Sequence, residues 1–195
     1  MFNEQSIKIS LDEIQDWSAK LSFTLTVLTL LPFLFMWGYS DSISFLGNIH
    51  ESFIQWVGIF LIVILLFIFS LIIASVLHEL IHAAFFLPFL SSKFKGLKFG
   101  YMKEKMAIYV HLKDPISITG FRIGLIMPAI ILGILPIIVG LLFGYLSILL
   151  FGIFLTVAAI GDLLLLVKTR NLHSGFMIKD LPDDIVIKSI SWGVS

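Results

Sequence analysis

The stretch from Ile123 to Gly161 contains no charged residue, and this feature most limits how the chain can fold. As one α-helix it would be roughly 58 Å long, nearly twice the hydrocarbon thickness of a bilayer. It must therefore reverse direction, and Gly144 can supply the tight turn. The stretch predicts two consecutive membrane helices, over about 122–142 and 146–167.

Two further apolar runs, at about 20–39 and 54–87, complete a prediction of four spans. Each is long enough to cross a bilayer, which takes roughly 20 residues. Of the 195 residues, 58% are hydrophobic and 13% are charged, whereas soluble domains have about 25% charged residues. We therefore predict an all-α membrane protein that forms a single membrane-embedded domain over residues 1–195, with a tail at 168–195.

The distribution of positive charge predicts the orientation, because cytoplasmic loops collect Lys and Arg. All 13 Lys and Arg residues lie before the first span, between the second and third spans, or after the fourth. The predicted connections after the first and third spans contain none. We expect a multi-pass protein of the cell membrane with both termini and the middle loop in the cytoplasm.

The middle loop contains two short segments typical of β-strands, LKFGYM and MAIYVHL, around the polar turn KEK. This pattern predicts a β-hairpin. The expected fold class is therefore four transmembrane helices with a small cytoplasmic β-hairpin between helices two and three. Another β-branched patch, DIVIKSIS, lies in the tail and carries no assignment.

Charge and cysteine content exclude several classes of function. The formal net charge is zero, so the chain lacks the basic surface typical of nucleic-acid binding. The chain has no cysteine, which removes disulfides, thiolate nucleophiles and cysteine-ligated metals. Nucleic acid is therefore not an expected partner, and any metal must be held by nitrogen and oxygen.

Three ionisable residues interrupt the second apolar run. His78, Glu79 and His82 match the pattern H-E-x-x-H, which on a helix turns both imidazoles to one face and leaves the glutamate beside an open coordination position. A charged side chain at membrane depth costs about 2.5–3.5 kcal/mol, so such residues usually serve a function. The structural alternative is a polar cluster that joins helices by hydrogen bonds.

A catalytic zinc needs a third protein ligand, and Asp162 is the only acidic residue in the third and fourth predicted spans. It lies roughly 9 Å along a helix from Lys168 at the cytoplasmic edge. The motif likewise lies near the cytoplasmic end of span two. Gly161 is expected to let another helix or the metal approach closely. The alternative for Asp162 is an ion pair with a lysine or a motif histidine, without metal.

The chain resembles the putative zincin peptidase family of small bacterial membrane proteins in four features. These are HELIH in an early membrane helix, the hairpin-like loop, the proline-containing span and GDL in the last span. These features resemble more distantly those of the site-2 intramembrane metalloproteases, in which the ligand aspartate lies in an L-D-G sequence motif. The likeness covers about residues 54–167. It implies a zinc peptidase.

Our leading hypothesis is an intramembrane zinc metalloendopeptidase with His78, His82 and Asp162 as Zn²⁺ ligands. A zinc-bound water would be the nucleophile and Glu79 the general base. The expected partners are the lipid bilayer and a membrane-embedded or membrane-proximal polypeptide substrate, which could pair with an edge of the hairpin.

The alternatives are a zinc-binding membrane protein without peptidase activity, such as a metal sensor or scaffold, and a small zinc transporter. The transporter is less well supported because no second set of intramembrane ligands is present.

Overall fold

A computed structural model of the protein describes residues 4–38, 53–102, 107–180 and 186–191. Most of the described residues are helical. The α-helices are α1 (Leu11–Trp37), α2 (Phe53–Phe86), α3 (Ile118–Pro128), α4 (Leu135–Phe143), α5 (Leu146–Ala158) and α6 (Ile160–Lys168). Two short 3-10 helices follow α2, at Leu87–Phe89 and Lys93–Gly96, and a π-helix at Ala129–Ile134 joins α3 to α4.

Three of these segments are long and apolar enough to span a membrane: Leu11–Trp37, Gln55–Phe89 and Ile118–Phe143. Helices α5 and α6 become a fourth candidate if the pair counts as one span, because they meet at an angle of 48°. The described helices therefore provide three to four candidate spans. The sequence predicted an uninterrupted fourth helix, and the structure breaks it at Ala159.

The described strands form two antiparallel sheets. The strands are β1 (Glu4–Lys8), β2 (Leu97–Met102), β3 (Ala107–Leu112), β4 (Ile116–Ser117), β5 (Phe176–Asp180) and β6 (Val186–Ser191). Strands β2 and β3 pair as the predicted hairpin, whose KEK turn lies outside the described residues. The other four form a sheet in the order β1-β6-β5-β4. This second sheet corrects the prediction of an all-α protein, since its strands come from three distant parts of the chain.

The reversal between α4 and α5 lies at the predicted glycine. Gly144 has a φ of +74°, and a Cβ there would come within 2.8 Å of the Trp37 ring at the end of α1. The Trp37 indole N–H donates to the Leu141 carbonyl over 2.8 Å. Gly140 lets α4 approach α5 so closely that a Cβ would lie 2.6 Å from the Leu149 backbone nitrogen. The turn is therefore tied both to α1 and to α5.

Helix α2 is exposed along its first half and packed along its second. From residue 55 to residue 69, every side chain but the glycine at position 58 is exposed. The second half enters a buried apolar cluster that also receives α3, α6, β4 and β5, with Ala83, Phe86, Leu90, Ile116, Phe121, Leu125, Leu165 and Ile178 among its members. The H-E-x-x-H motif lies in the packed half of α2.

Candidate metal centre

Helix α2 presents the two motif histidines on one face, as their spacing predicts. The His78 and His82 rings lie one turn apart with centroids 4.7 Å from each other. Their Nε2 atoms converge to 3.0 Å. His82 is buried, and His78 is partly buried. The two ring nitrogens therefore point at a common position beside the helix.

The bend between α5 and α6 brings Asp162 to the same position. Asp162 lies in the first turn of α6, directly after the break at Ala159. Its Oδ2 atom is 3.0 Å from the His78 Nε2 and 3.3 Å from the His82 Nε2. The structure thus brings together the three residues that the sequence selected as ligands.

The donor set has the size of a zinc site. The three ligand atoms are separated by 3.0, 3.0 and 3.3 Å. Tetrahedral ligands at zinc distances of about 2.0–2.2 Å stand roughly 3.3 Å apart, so an ion fits between them with little rearrangement. Two imidazoles and one carboxylate also suit zinc in chemical type. Among the described residues, these three form the one group with metal-binding geometry.

A backbone contact on α3 sets the tautomer of His82. Its Nδ1 donates to the Gly124 carbonyl over 3.0 Å, which leaves the Nε2 lone pair available to a metal. The Phe86 ring stacks on the imidazole with a centroid distance of 5.6 Å and an interplanar angle of 5°. A Cβ at Gly124 would overlap that ring. Sequence reasoning missed Gly124 as part of the site.

Glu79 is held beside the three ligands by the hairpin. Its Oε2 accepts a hydrogen bond of 2.9 Å from the Val110 backbone N–H on β3. Lys113 donates its backbone N–H to Gly96, next to β2. Since alternate residues of an antiparallel strand point to opposite sides, Val110 presents its N–H to α2 and away from β2. The hairpin thus reaches the motif directly.

Comparison with known proteins decides the family. A family model described as "Putative zincin peptidase" matches residues 71–176, just over half of the chain. The chain belongs to the putative zincin peptidase family. No curated protein and no solved structure matches it.

The segment matched by the zincin peptidase family begins within α2 and ends at the first residue of β5. It contains the motif, the hairpin, Gly124 and Asp162. Membership confirms the family that the sequence suggested, and it indicates a zinc metallopeptidase. The more distant likeness to site-2 proteases stays a prediction.

A cavity of about 320 Å³ opens beside the motif. Of the residues discussed above, His78 and Glu79 line it, whereas His82 and Asp162 do not. The rest of the lining comes from α2, the π-helix, α5 and β3, and consists of Leu71, Ala74, Ser75, Ile108, Leu132, Phe154, Leu155 and Ala158. The cavity is therefore mainly apolar and touches the site on the side of the glutamate.

Gly161 does not have the role that its position suggested. A Cβ built there would meet no atom within 4 Å. The close approaches near the site involve α3 instead, where a Cβ at Gly124 would overlap Phe86 and a Cβ at Gly120 would lie 2.4 Å from an atom of the Phe89 side chain. The expectation that another helix approaches Gly161 closely was wrong, and the approach of a metal stays a prediction.

Proposed function

We propose that this member of the zincin peptidase family is an intramembrane zinc metalloendopeptidase. The observation that carries the proposal is the convergence of the His78, His82 and Asp162 ligand atoms within 3.3 Å of one another. The motif glutamate stands beside them and lines the adjoining cavity. This is the arrangement of a hydrolytic zinc site, which combines three protein ligands with an open position and a nearby base.

Each residue of the site has a distinct task in peptide hydrolysis. His78, His82 and Asp162 would hold the ion, and the Gly124 carbonyl orients the His82 ring. Zinc bound there would supply a Lewis acid that polarises the scissile carbonyl and acidifies a water molecule. Glu79 takes a proton from the attacking water and delivers it to the leaving amine, so that one water is consumed for each bond broken.

The proposal places the site within the bilayer and both termini in the cytoplasm. The two histidines lie on α2, which is long and apolar enough to span a membrane, and Asp162 lies on α6, which is a candidate span when taken together with α5. The four-stranded sheet supports the orientation, because it joins strands from before the first span, from the middle loop and from the tail. The ion pair between Lys168 and Glu13, at 2.7 Å, also joins the end of α6 to the start of α1. The segments that carry the positive charge thus meet at one end of the bundle.

The substrate in this proposal is an extended segment of a membrane-embedded or membrane-proximal polypeptide. Strand β3 turns the outer edge at Ile108 and Val110 toward α2. A substrate segment that adds to this edge would bring its peptide bonds alongside the three ligands. It would also compete with Glu79 for the Val110 N–H, and so release the carboxylate for catalysis.

A second candidate is a zinc-binding membrane protein without peptidase activity. The hydrogen bond between Val110 and Glu79 favours it, because the same bond can serve simply to fasten the hairpin to α2. The two candidates differ in what they require of Glu79. A fastener needs only an acceptor oxygen, whereas a general base needs a carboxylate.

Glu79→Gln separates the two candidates, since glutamine keeps the acceptor oxygen but cannot take up the proton. Wild type, the Gln variant and His82→Ala would be purified in detergent, loaded with zinc and incubated with peptides from digested membrane proteins. Mass spectrometry then detects the new termini. We expect wild type to cleave, Glu79→Gln to keep its zinc and lose about 10²–10⁴-fold in rate, and His82→Ala to lose both.

Two outcomes would contradict the peptidase proposal. Equal cleavage by wild type and Glu79→Gln would remove Glu79 from the chemistry. A wild-type protein that binds zinc but cleaves none of the peptides would favour the sensor or scaffold.

A further inference from the structure

We propose that the cavity beside the motif is the specificity subsite of the peptidase, and that it takes one large apolar side chain of the substrate. The residue concerned would flank the bond to be cleaved. The inference rests on the proposed function and adds a substrate preference, for an aliphatic or aromatic residue at the cleavage site.

The location of the cavity connects it to the chemistry. His78, a ligand candidate, and Glu79, the base candidate, form part of its wall, and Ile108 brings the outer edge of β3 to the same space. A peptide segment held along β3 and over the three ligands would therefore direct a side chain into this opening. One subsite therefore accounts for the position of the cavity next to Glu79.

The lining selects the type of side chain. Seven of its ten residues are apolar, namely Leu71, Ala74, Ile108, Leu132, Phe154, Leu155 and Ala158. Its one acidic side chain is Glu79, which would repel a substrate carboxylate. A substrate lysine could pair only with Glu79, and that ion pair would keep the carboxylate from acting as the general base. The wall thus favours a side chain without charge.

The volume limits how much can enter. Sites for drug-sized ligands have about 300–1,000 Å³, and this cavity, at about 320 Å³, lies at the lower limit. It can hold a leucine or phenylalanine side chain. A whole helix is about 10–12 Å wide and cannot enter. The substrate must therefore be unwound where it is cleaved, with one side chain inserted.

The packing of two helices explains why the space is present. Phe67 on α2 and Phe154 on α5 meet edge to face, with ring centroids 6.0 Å apart. The small side chains of Ala74 on α2 and Ala158 on α5 line the opening between the same two helices. The π-helix adds Leu132, and π-helical turns occur frequently at functional sites.

The experiment measures binding of zinc-directed probes instead of turnover. Two peptidyl hydroxamates would be compared on the zinc-loaded, detergent-purified protein by calorimetry. They differ only in the side chain next to the hydroxamate, isobutyl in one and methyl in the other. Acetohydroxamate, which has no such side chain, reports the metal alone. We expect the isobutyl probe to bind wild type at least 10-fold more tightly than the methyl probe, as is typical of a hydrophobic pocket.

Substitutions in the wall should change this ratio. Ala158 is exposed, so Ala158→Leu fills the opening without disturbing a buried position, and the ratio should fall toward one. Leu132→Ala enlarges the cavity and should shift the preference to a naphthylmethyl probe. Ala84→Leu is the matched control, because Ala84 is exposed on α2 and does not line the cavity. Acetohydroxamate should bind all four proteins equally.

The outcomes separate the subsite from the peptidase function. Acetohydroxamate binding without a preference for isobutyl, or a preference that Ala158→Leu and Leu132→Ala leave unchanged, would overturn the subsite alone. A cavity occupied by a lipid chain would give this result. If none of the hydroxamates binds, the zinc site and the subsite built on it are both overturned.

Discussion

At the residue scale, Gly124 shows how a residue without a side chain can determine the geometry of a candidate metal centre. Its carbonyl accepts from His82, and its missing Cβ leaves room for the Phe86 ring that stacks on the same imidazole. The grouping of His78, His82 and Asp162 was predictable, because an ionisable side chain in an apolar helix is a strong signal. A backbone acceptor gives no such signal, since every residue has one.

Gly124→Ala should therefore weaken zinc binding. The added methyl group would push Phe86 aside and disturb the hydrogen bond to His82, and loss of such a supporting contact typically costs 10- to 100-fold in metal affinity. The affinity would be measured by competition with a chelator of known strength. Gly161→Ala is the control, because its Cβ meets open space. Equal zinc affinity in both variants would mean that Gly124 does not support the site.

At the element scale, strand β3 links the hairpin to the motif through a single backbone N–H. Val110→Pro removes this donor to Glu79 and keeps the ladder to β2, which uses the alternate residues of the strand. We expect peptide turnover to fall while zinc content is unchanged. Val110→Ala keeps the N–H and should retain turnover. Unchanged turnover in the proline variant would exclude the hairpin from the mechanism.

Helix α6 carries Asp162 near one end and is fixed at the other by Arg122. The Arg122 guanidinium donates to the carbonyls of Thr169 and Leu172, just after the helix. Arg122→Ala leaves both acceptors without this partner and should destabilise the protein by about 1–3 kcal/mol. Chemical unfolding in detergent would measure the change. Arg170→Ala, at an exposed position, should change stability by about 0.5 kcal/mol or less. Equal effects would show that Arg122 does not anchor α6.

Elements were predictable where their signal is local. The hairpin follows from two β-rich segments close together in sequence, and Gly144 marks the turn it was expected to form. The four-stranded sheet pairs β1 with β6, from opposite ends of the chain, and no local pattern reveals such a pairing. The break at Ala159 was also missed, because neither proline nor glycine stands there to indicate it.

At the scale of the whole molecule, hydropathy and charge predicted more than any motif. Long apolar segments predicted helices of membrane length. The positions of Lys and Arg placed the N-terminal segment, the middle loop and the tail on one side, and these three segments contribute the strands of the four-stranded sheet. The exposed first half of α2 fits this architecture, since apolar side chains there can face lipid. The contacts that join the N-terminal part of the chain to the end of α6 could not be predicted, because they are pairs far apart in sequence, such as Lys168 with Glu13.

The most direct test of the account is the metal content of the purified protein. Elemental analysis of wild type, His82→Ala and Asp162→Ala, prepared without chelators and soaked in zinc, would count the ions bound to each chain. We predict about one zinc per wild-type chain and its loss in both variants, because each removes one of the three proposed ligands. Wild-type protein that takes up no zinc, or zinc that persists in both variants, would contradict the proposed metal centre.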